Sequence, residues 1–354
     1  MNSPNLLPLA LGLVIFSFLV TGSVIVPYID ILYKLKLTRR KEAPKKGKVP
    51  LFDKLHDIKA GTPVGGGILV IVIVTTIFAF LFPFASHMGV FIRSSFSLRI
   101  ELFVIFLTFI SFGLLGLSDD LTKIFGKGRP GERPLGGLAF GLTRRQKLLI
   151  QFLLALSISY ILYEKLGIHI LHVPLLGKTL DLGIWYIPFA SFVIVSFTNA
   201  FNITDGLDGL ASGLLLICLI AFGVIAAGNL DTPLSLFISS WIGALMAFLY
   251  FNVWPARIFL GDAGSLSFGA MLAVIGLLTG SIVALLVIGG IFAIEAGSSA
   301  IQILGWRIFK KAILPIAPIH HTFLAAGWQE PKIVMRAWLA GLMLAIFGLW
   351  LASF

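Results

Sequence analysis

Five aspartates stand in short polar strings that interrupt an otherwise apolar chain. The first string, Gly116-Leu117-Ser118-Asp119-Asp120-Leu121-Thr122-Lys123, closes a long apolar run and opens a basic loop. Adjacent carboxylates at the mouth of a membrane span are costly unless a cation or a reaction needs them. If the helix continues through the string, Asp119 and Lys123 lie one turn apart and Asp120 is three residues from the same lysine. A self-contained ion pair at a helix end is the plainer account. The second string, Asn199-Ala200-Phe201-Asn202-Ile203-Thr204-Asp205-Gly206-Leu207-Asp208-Gly209-Leu210, places Asp205 and Asp208 at i and i+3. A helix starting there would show both on one face, capped by Asn202 or Thr204. Capping explains one of these carboxylates and leaves the rest of the string without a reason. The third string, Phe259-Leu260-Gly261-Asp262-Ala263-Gly264-Ser265-Leu266, flanks Asp262 with glycines, which leaves its carboxylate open to a ligand or marks a turn. Asn252 and Arg257 lie just upstream.

Three weaker signals accompany them. Lys59-Ala60-Gly61-Thr62-Pro63-Val64-Gly65-Gly66-Gly67 reads first as helix-entry punctuation, although glycine amides beside a lysine also suit a phosphate. His320 and His321 follow Pro318-Ile319; adjacent imidazoles diverge, so joint chelation of a metal is disfavoured, while donation to an anion is open. Glu295 and Gln302, at i and i+7, share a helix face inside an apolar run, and a carboxylate there calls for a partner or a hydrated cavity.

The elements that must position these residues are membrane spans. The 354 residues are 58% hydrophobic and 12% charged, with a mean hydropathy of +1.01, which excludes an ordinary soluble domain. Apolar runs cover 6–32, 66–83, 100–117, 148–166, 184–201, 210–227, 234–251, 266–278, 282–303 and 334–351. The first lacks a basic leader and a cleavage site and reads as a retained span. An all-α polytopic membrane protein of about ten transmembrane helices, forming one domain over 1–354, is expected. With the first basic loop inside, segments 33–61, 118–147, 202–209, 252–265 and 306–336 hold 23 of the 27 Lys and Arg; Arg93, Arg99, Lys165 and Lys178 are the exceptions. That asymmetry places both termini outside. The net charge of +11, which in a soluble chain would suggest nucleic acid, is thereby explained by the loops, and no nucleic-acid partner is expected. The outer loop 168–183 has strand-like residues around Gly177-Lys178, so a small hairpin fits there. The single cysteine, Cys218, sits in an apolar run and reads as a buried structural thiol.

On this topology Asp119, Asp120, Asp205, Asp208 and Asp262 reach one membrane surface from three places in the chain. Acids gathered on the face richest in Lys and Arg point to a divalent cation handling phosphate. Magnesium, hard and oxygen-seeking, is the natural choice. A membrane wall beside such a site implies that one substrate is a lipid.

The motifs D-D-x-x-K at 119–123, N-x-x-D-G-L-D at 202–208, G-D-x-G-S at 261–265 and Pro318–His321 together resemble the polyprenyl-phosphate N-acetylhexosamine-1-phosphate transferases. The resemblance runs from about Lys59 to Arg336. Ala317-Pro318-Ile319-His320-His321 and Gly327-Trp328, Glu330-Pro331-Lys332 resemble the branch that transfers phospho-MurNAc-pentapeptide. The resemblance implies a bacterial cytoplasmic-membrane enzyme with its active site on the cytoplasmic face. Its substrates would be UDP-MurNAc-pentapeptide and undecaprenyl phosphate, and its products lipid I and UMP. It makes Asp262 the principal magnesium ligand. Asp119 would deprotonate or position the lipid phosphate, with Asp120 and Lys123 holding it. Asn202, Asp205 and Asp208 would line the nucleotide pocket, near Lys59, Thr62 and Asn252. Phe259 would stack on uracil and Ser265 would contact substrate. His320, His321 and Gln302 would face the sugar and diphosphate. The branch usually has a third histidine at the position of Thr322, a glutamate at that of Leu324, and Thr-Met at that of Val64-Gly65.

Two other functions were open to these residues. A GlcNAc-1-phosphate transferase shares the chemistry but lacks the reason for His320-His321. A transporter would hold its charges near the bilayer midplane, where only Glu295 lies. The sequence is silent on oligomeric state, and a homodimer is compatible with it.

Overall fold

The computed structural model describes residues 6–39, 59–87, 89–125 and 143–354. Most of the basic loop between Lys34 and Lys59, and the basic stretch 126–142, lie outside the described residues. Helices run in the order α1 (Leu6–Lys34), α2 (Gly66–Leu81), α3 (Leu98–Phe125), α4 (Arg144–Leu166), α5 (Tyr186–Thr204) and α6 (Leu210–Gly228). They continue as α7 (Thr232–Asn252), α8 (Gly261–Leu278), α9 (Ile282–Ile288), α10 (Gly290–Ile308), α11 (Ile319–Ala325) and α12 (Glu330–Ala352). Among the described residues nine helices are long and apolar enough to cross a membrane, and the bent pair α9–α10 makes a tenth. The chain is an all-α polytopic membrane protein, as its composition requires: in lipid each span must satisfy its own backbone.

Among the described residues the strands form the expected small hairpin. Strands β1 (Ile170–Val173) and β2 (Lys178–Asp181) pair antiparallel, Ile170 with Asp181 and Val173 with Lys178.

The helix α8 is the axis of the bundle, buried from Ala263 to Leu278, with α2, α3 and α5 packed around it. Its sequence explains how. With lipid on the outside there is little hydrophobic drive between spans, so close packing of small residues does the holding. A Cβ added at Gly67 on α2 would lie 2.2 Å from Gly264 Cα, one at Gly116 on α3 2.1 Å from the Asp262 carbonyl, and one at Gly269 2.5 Å from the Phe197 carbonyl of α5. Deeper in, Phe109, Trp241 and Phe268 form an aromatic knot, with Phe109–Trp241 centroids 4.9 Å apart and Trp241–Phe268 centroids 5.1 Å apart. The flanks of α1, α10 and α12 stay apolar and exposed, with Leu7, Ile15, Leu304, Ile308, Leu339 and Met343 pointing outward, as lipid-facing surface does.

Beyond the third apolar run the helix continues as the first polar string allowed: α3 runs through Asp119, Asp120 and Lys123 to Phe125, with Asp119 and Lys123 one turn apart. Two other expectations change. No helix starts at Asp205. The α5 helix ends at Thr204, residues 205–209 form turns, and α6 begins at Leu210 behind Gly209, whose φ is +75°. Asp205 and Asp208 therefore do not share a helix face, and neither Asn202 nor Thr204 caps a helix. The ninth apolar run breaks by 77° between Ile288 and Gly290, where Gly289 abuts the Phe197 ring too closely for any side chain.

The glycine contacts give a direct test. Gly67→Ala forces Cβ into the backbone of α8 at an expected cost on the order of 1–3 kcal/mol and lowers the thermal midpoint in detergent. Gly297→Ala on α10, where nothing lies within 4 Å, leaves it unchanged or higher. Equal midpoints for the two variants would contradict the packing.

Candidate active site

The polar strings meet at one end of the bundle because helix directions alternate. The C-terminal ends of α3 and α5 and the N-terminal ends of α4 and α8 form one half of the site. Gly116 lets α3 touch the first turn of α8, and so brings Asp119 and Asp120 to Asp262. Lys147 Nζ bridges Asp119 Oδ2 at 2.7 Å and Asp262 Oδ2 at 2.8 Å. Lys123 Nζ bridges the same two oxygens at 3.1 and 2.7 Å. The Asn202 side-chain amide donates to Asp262 Oδ1 at 3.3 Å and to Ser265 Oγ at 2.7 Å. Asp120 has a different task. Its carboxylate accepts from the Asp262 amide at 2.9 Å and the Ala263 amide at 3.0 Å, so it caps α8 where the helix dipole favours an anion.

The second half lies across the 205–209 turn. Lys59 Nζ is buried between Asp208 Oδ1 at 2.5 Å and Glu330 Oε1 at 2.6 Å. Glu330 Oε1 also accepts from the Asp208 amide at 2.6 Å, while Asp208 Oδ2 accepts from the Ala256 amide at 2.9 Å. The turn, the end of the first basic loop and the start of α12 are thus tied through one lysine. A cavity of about 460 Å³ opens beside it, lined by Lys59, Gly206, Leu207, Trp254, His321 and Trp328 among others. Asp205 connects the halves: its carboxyl feels Asp262, Asp120, Lys59 and Arg39.

Other predicted site residues sit in the scaffold. Thr62 and Phe259 belong to a backbone zipper in which Arg39 donates to the Thr62 carbonyl at 3.0 Å and Phe259 to that of Pro63 at 2.8 Å. The amides of Gly65 and Gly66 return to the Phe259 carbonyl, so the glycine motif serves chain entry. The Phe259 ring lies under the Arg39 guanidinium, 5.8 Å from its centroid. Asn252 is buried with its amide closed, accepting from Ser212 Oγ at 2.6 Å and donating to the Ile258 carbonyl at 2.9 Å. Gln302 holds the backbone of Ile313 and Leu314. The His320 and His321 rings touch at a tilt of 56°, centroids 4.2 Å apart, and His320 Nδ1 meets Glu295 Oε2 at 2.9 Å.

Two residues central to this geometry carried little signal in the sequence. Lys147 sits among Arg144, Arg145 and Gln146 and reads as one more inside-positive charge. Glu330 reads as part of a branch signature without a role. Only the fold shows that both reach the aspartates.

Residues 102–280 match the family described as glycosyl transferase family 4. The chain is 36% identical over 328 residues to the phospho-N-acetylmuramoyl-pentapeptide-transferase of Caldanaerobacter subterraneus subsp. tengcongensis, covering 92% of both chains. It is 33% identical to that of a Geobacillus species over 343 residues, 96% of both. It is 34% identical to that of Clostridium beijerinckii over 337 residues, 94% of this chain and 92% of the relative. The chain belongs to glycosyl transferase family 4, among the phospho-N-acetylmuramoyl-pentapeptide-transferases. Membership in this family gives the two lysine-bridged carboxylates a context, since phosphoryl transfer needs cations placed around anionic oxygens.

Burial pushes the Asp205 carboxyl up to about 7, with the charges of Asp262 and Asp120 adding. The folded protein then keeps a proton that the unfolded chain releases near 3.8. This stability contribution is present below about pH 4 and is lost as pH rises to 7. Asp205→Asn is expected to flatten that part of the thermal-midpoint profile against pH; an unaltered slope would contradict the assignment.

Proposed function

We propose that the chain transfers phospho-MurNAc-pentapeptide from UDP-MurNAc-pentapeptide to undecaprenyl phosphate, on the cytoplasmic face of a bacterial membrane. An oxygen of the lipid phosphate forms a new bond to the sugar-bearing phosphorus, and the bond from that phosphorus to the bridging oxygen breaks. UMP leaves with the bridging oxygen, and lipid I remains. The observation that carries the reading is the meeting of Asp119, Asp262, Lys123 and Lys147 at the membrane end of three spans.

The donor set fits magnesium. Two lysine ammoniums already lie between Asp119 and Asp262, so the place is built for positive charge. Magnesium is commonly held by one or two carboxylates plus substrate phosphates, a demand that Asp262 and Asp119 could meet. Asp262 would be its principal ligand. The ion would neutralise the diphosphate and the charge growing on the leaving oxygen.

The chain's own groups do the rest. Lys123 and Lys147 receive the lipid phosphate, and Asp119 between them takes its proton. Asp120 fixes the first turn of α8 and with it Asp262; Asn202, itself held by Ser265, steadies the other Asp262 oxygen. Lys59, Asp205, Asp208 and the Phe259 ring form the nucleotide side. His320 and His321 lie toward the sugar. Gln302, Asn252 and Thr62 support this arrangement by holding loops.

Asp262→Asn and Asp119→Asn are each expected to lower UMP release by at least about 100-fold without preventing membrane insertion. Near-normal turnover of either, with magnesium present, would remove its role. In the same assay UDP-MurNAc-pentapeptide is expected to outrun UDP-GlcNAc as donor; the reverse order would assign a GlcNAc-1-phosphate transferase.

A further inference from the structure

Glu295 lies on α10, in the second turn after the bend, and is buried with its side chain turned into the protein. A carboxylate at that depth requires a partner. Its partner is the start of α11: Oε2 lies 2.9 Å from His320 Nδ1 and also accepts from the His320 amide at 3.4 Å. Ser298, one turn further on, donates to the Glu295 carbonyl at 2.7 Å and accepts from the Ile319 amide at 3.0 Å. The imidazole is therefore held at Nδ1 by Glu295, and Ser298 ties the start of α11 to the same helix.

The orientation decides which nitrogen is available. A carboxylate only accepts, so the shared proton belongs on Nδ1. His320 Nε2 is buried and has no hydrogen-bond partner among the described residues. It abuts Gly206, where an added Cβ would lie 2.5 Å from it. Gly206 stands between Asp205 and Asp208 on the turn assigned above to the nucleotide, and His321, in tilted contact with the His320 ring, lines the adjoining cavity. Native proteins seldom leave a buried nitrogen unpaired, and where they do a ligand or catalytic role is a common reason.

We propose that Glu295 is a positioning residue for the transfer reaction: it holds the Nδ1 proton of His320, so that Nε2 is the nitrogen set against Gly206 of the 205–208 turn on which the nucleotide-sugar rests. The proposal rests on the reading of that turn as the donor's seat. Glu295 touches no substrate and acts through the imidazole alone. Orienting partners of this kind change function by roughly 10–100-fold when removed.

The test uses the full chain in nanodiscs with Glu295→Gln, Glu295→Asp, His320→Asn and the double variant Glu295→Gln/His320→Asn. Glu295→Gln is expected to lower kcat/KM for UMP release about 30-fold, and Glu295→Asp to recover a substantial part of it. The double variant should be no slower than His320→Asn alone, because both changes remove one device. In ¹⁵N-histidine spectra the resonances missing from His320→Asn identify this ring. They should show a protonated Nδ1, change in Glu295→Gln, and shift at Nε2 when UDP-MurNAc-pentapeptide is added. Losses that multiply in the double variant, or His320 resonances indifferent to Glu295→Gln, would overturn the proposal. Wild-type protein that releases no UMP, yet shifts Nε2 with another UDP-sugar, would sink the assigned donor and leave the positioning role standing. An Nε2 resonance unmoved by either UDP-sugar would overturn the role itself.

Discussion

The site depends on how closely the backbone of α8 can approach its neighbours. Gly67, Gly116 and Gly264 remove the side chains that would keep α2 and α3 away from it, and Gly269 does the same toward α5. The contact at Gly116 matters most for chemistry, because it sets the end of α3 against the first turn of α8. A separation larger by one methyl group would draw Asp119 away from Asp262 and remove Asp120 from the α8 amides it caps. Membrane packing and active-site geometry are here one constraint.

Electrostatics then follow from position. Asp119 and Asp262 are far apart in sequence and carry like charge, so their approach needs cations, and Lys123 and Lys147 supply them from two different helices. The second group, Lys59 between Asp208 and Glu330, repeats the arrangement across the turn. The Lys59 cluster is no surface ion pair of small worth, since the side chains of Lys59, Asp208 and Glu330 are almost wholly shielded, whereas Lys123 of the first cluster is 58% exposed and its pairs are screened by water. Removing one member would leave another charge without its partner in a poorly solvated place. Both clusters place ammonium groups at the end of the bundle where the polar strings meet.

Much of this was legible in the sequence because membranes make sequence simple. Apolar runs of span length, with Lys and Arg on alternate sides, are enough to give the helices and to bring Asp119, Asp205, Asp208 and Asp262 to one end. The hairpin at Gly177-Lys178 followed from local turn chemistry. What could not be read was anything set by contact between helices. Lys147 looked like topology because a basic residue at a span start serves that purpose whether or not it reaches an aspartate. Asp120 looked like a phosphate ligand because its use as a cap depends on where α8 begins. The break at Gly289 is dictated by the Phe197 ring of another helix, and Gln302 is turned to the loop at 313–314 by a fold in the chain that apolar periodicity does not encode. The stop of α5 at Thr204 replaced a helix start with a turn, which is why Asp205 and Asp208 serve different neighbours.

On the proposed function, a divalent cation and a diphosphate meet between Asp119 and Asp262. Anomalous scattering from Mn²⁺, in crystals grown with UDP-MurNAc-pentapeptide, would locate that cation. A peak is expected about 2 Å from an Asp262 carboxylate oxygen, on the side facing Asp119, with diphosphate oxygens completing its shell. A metal bound with the diphosphate anywhere else would overturn it.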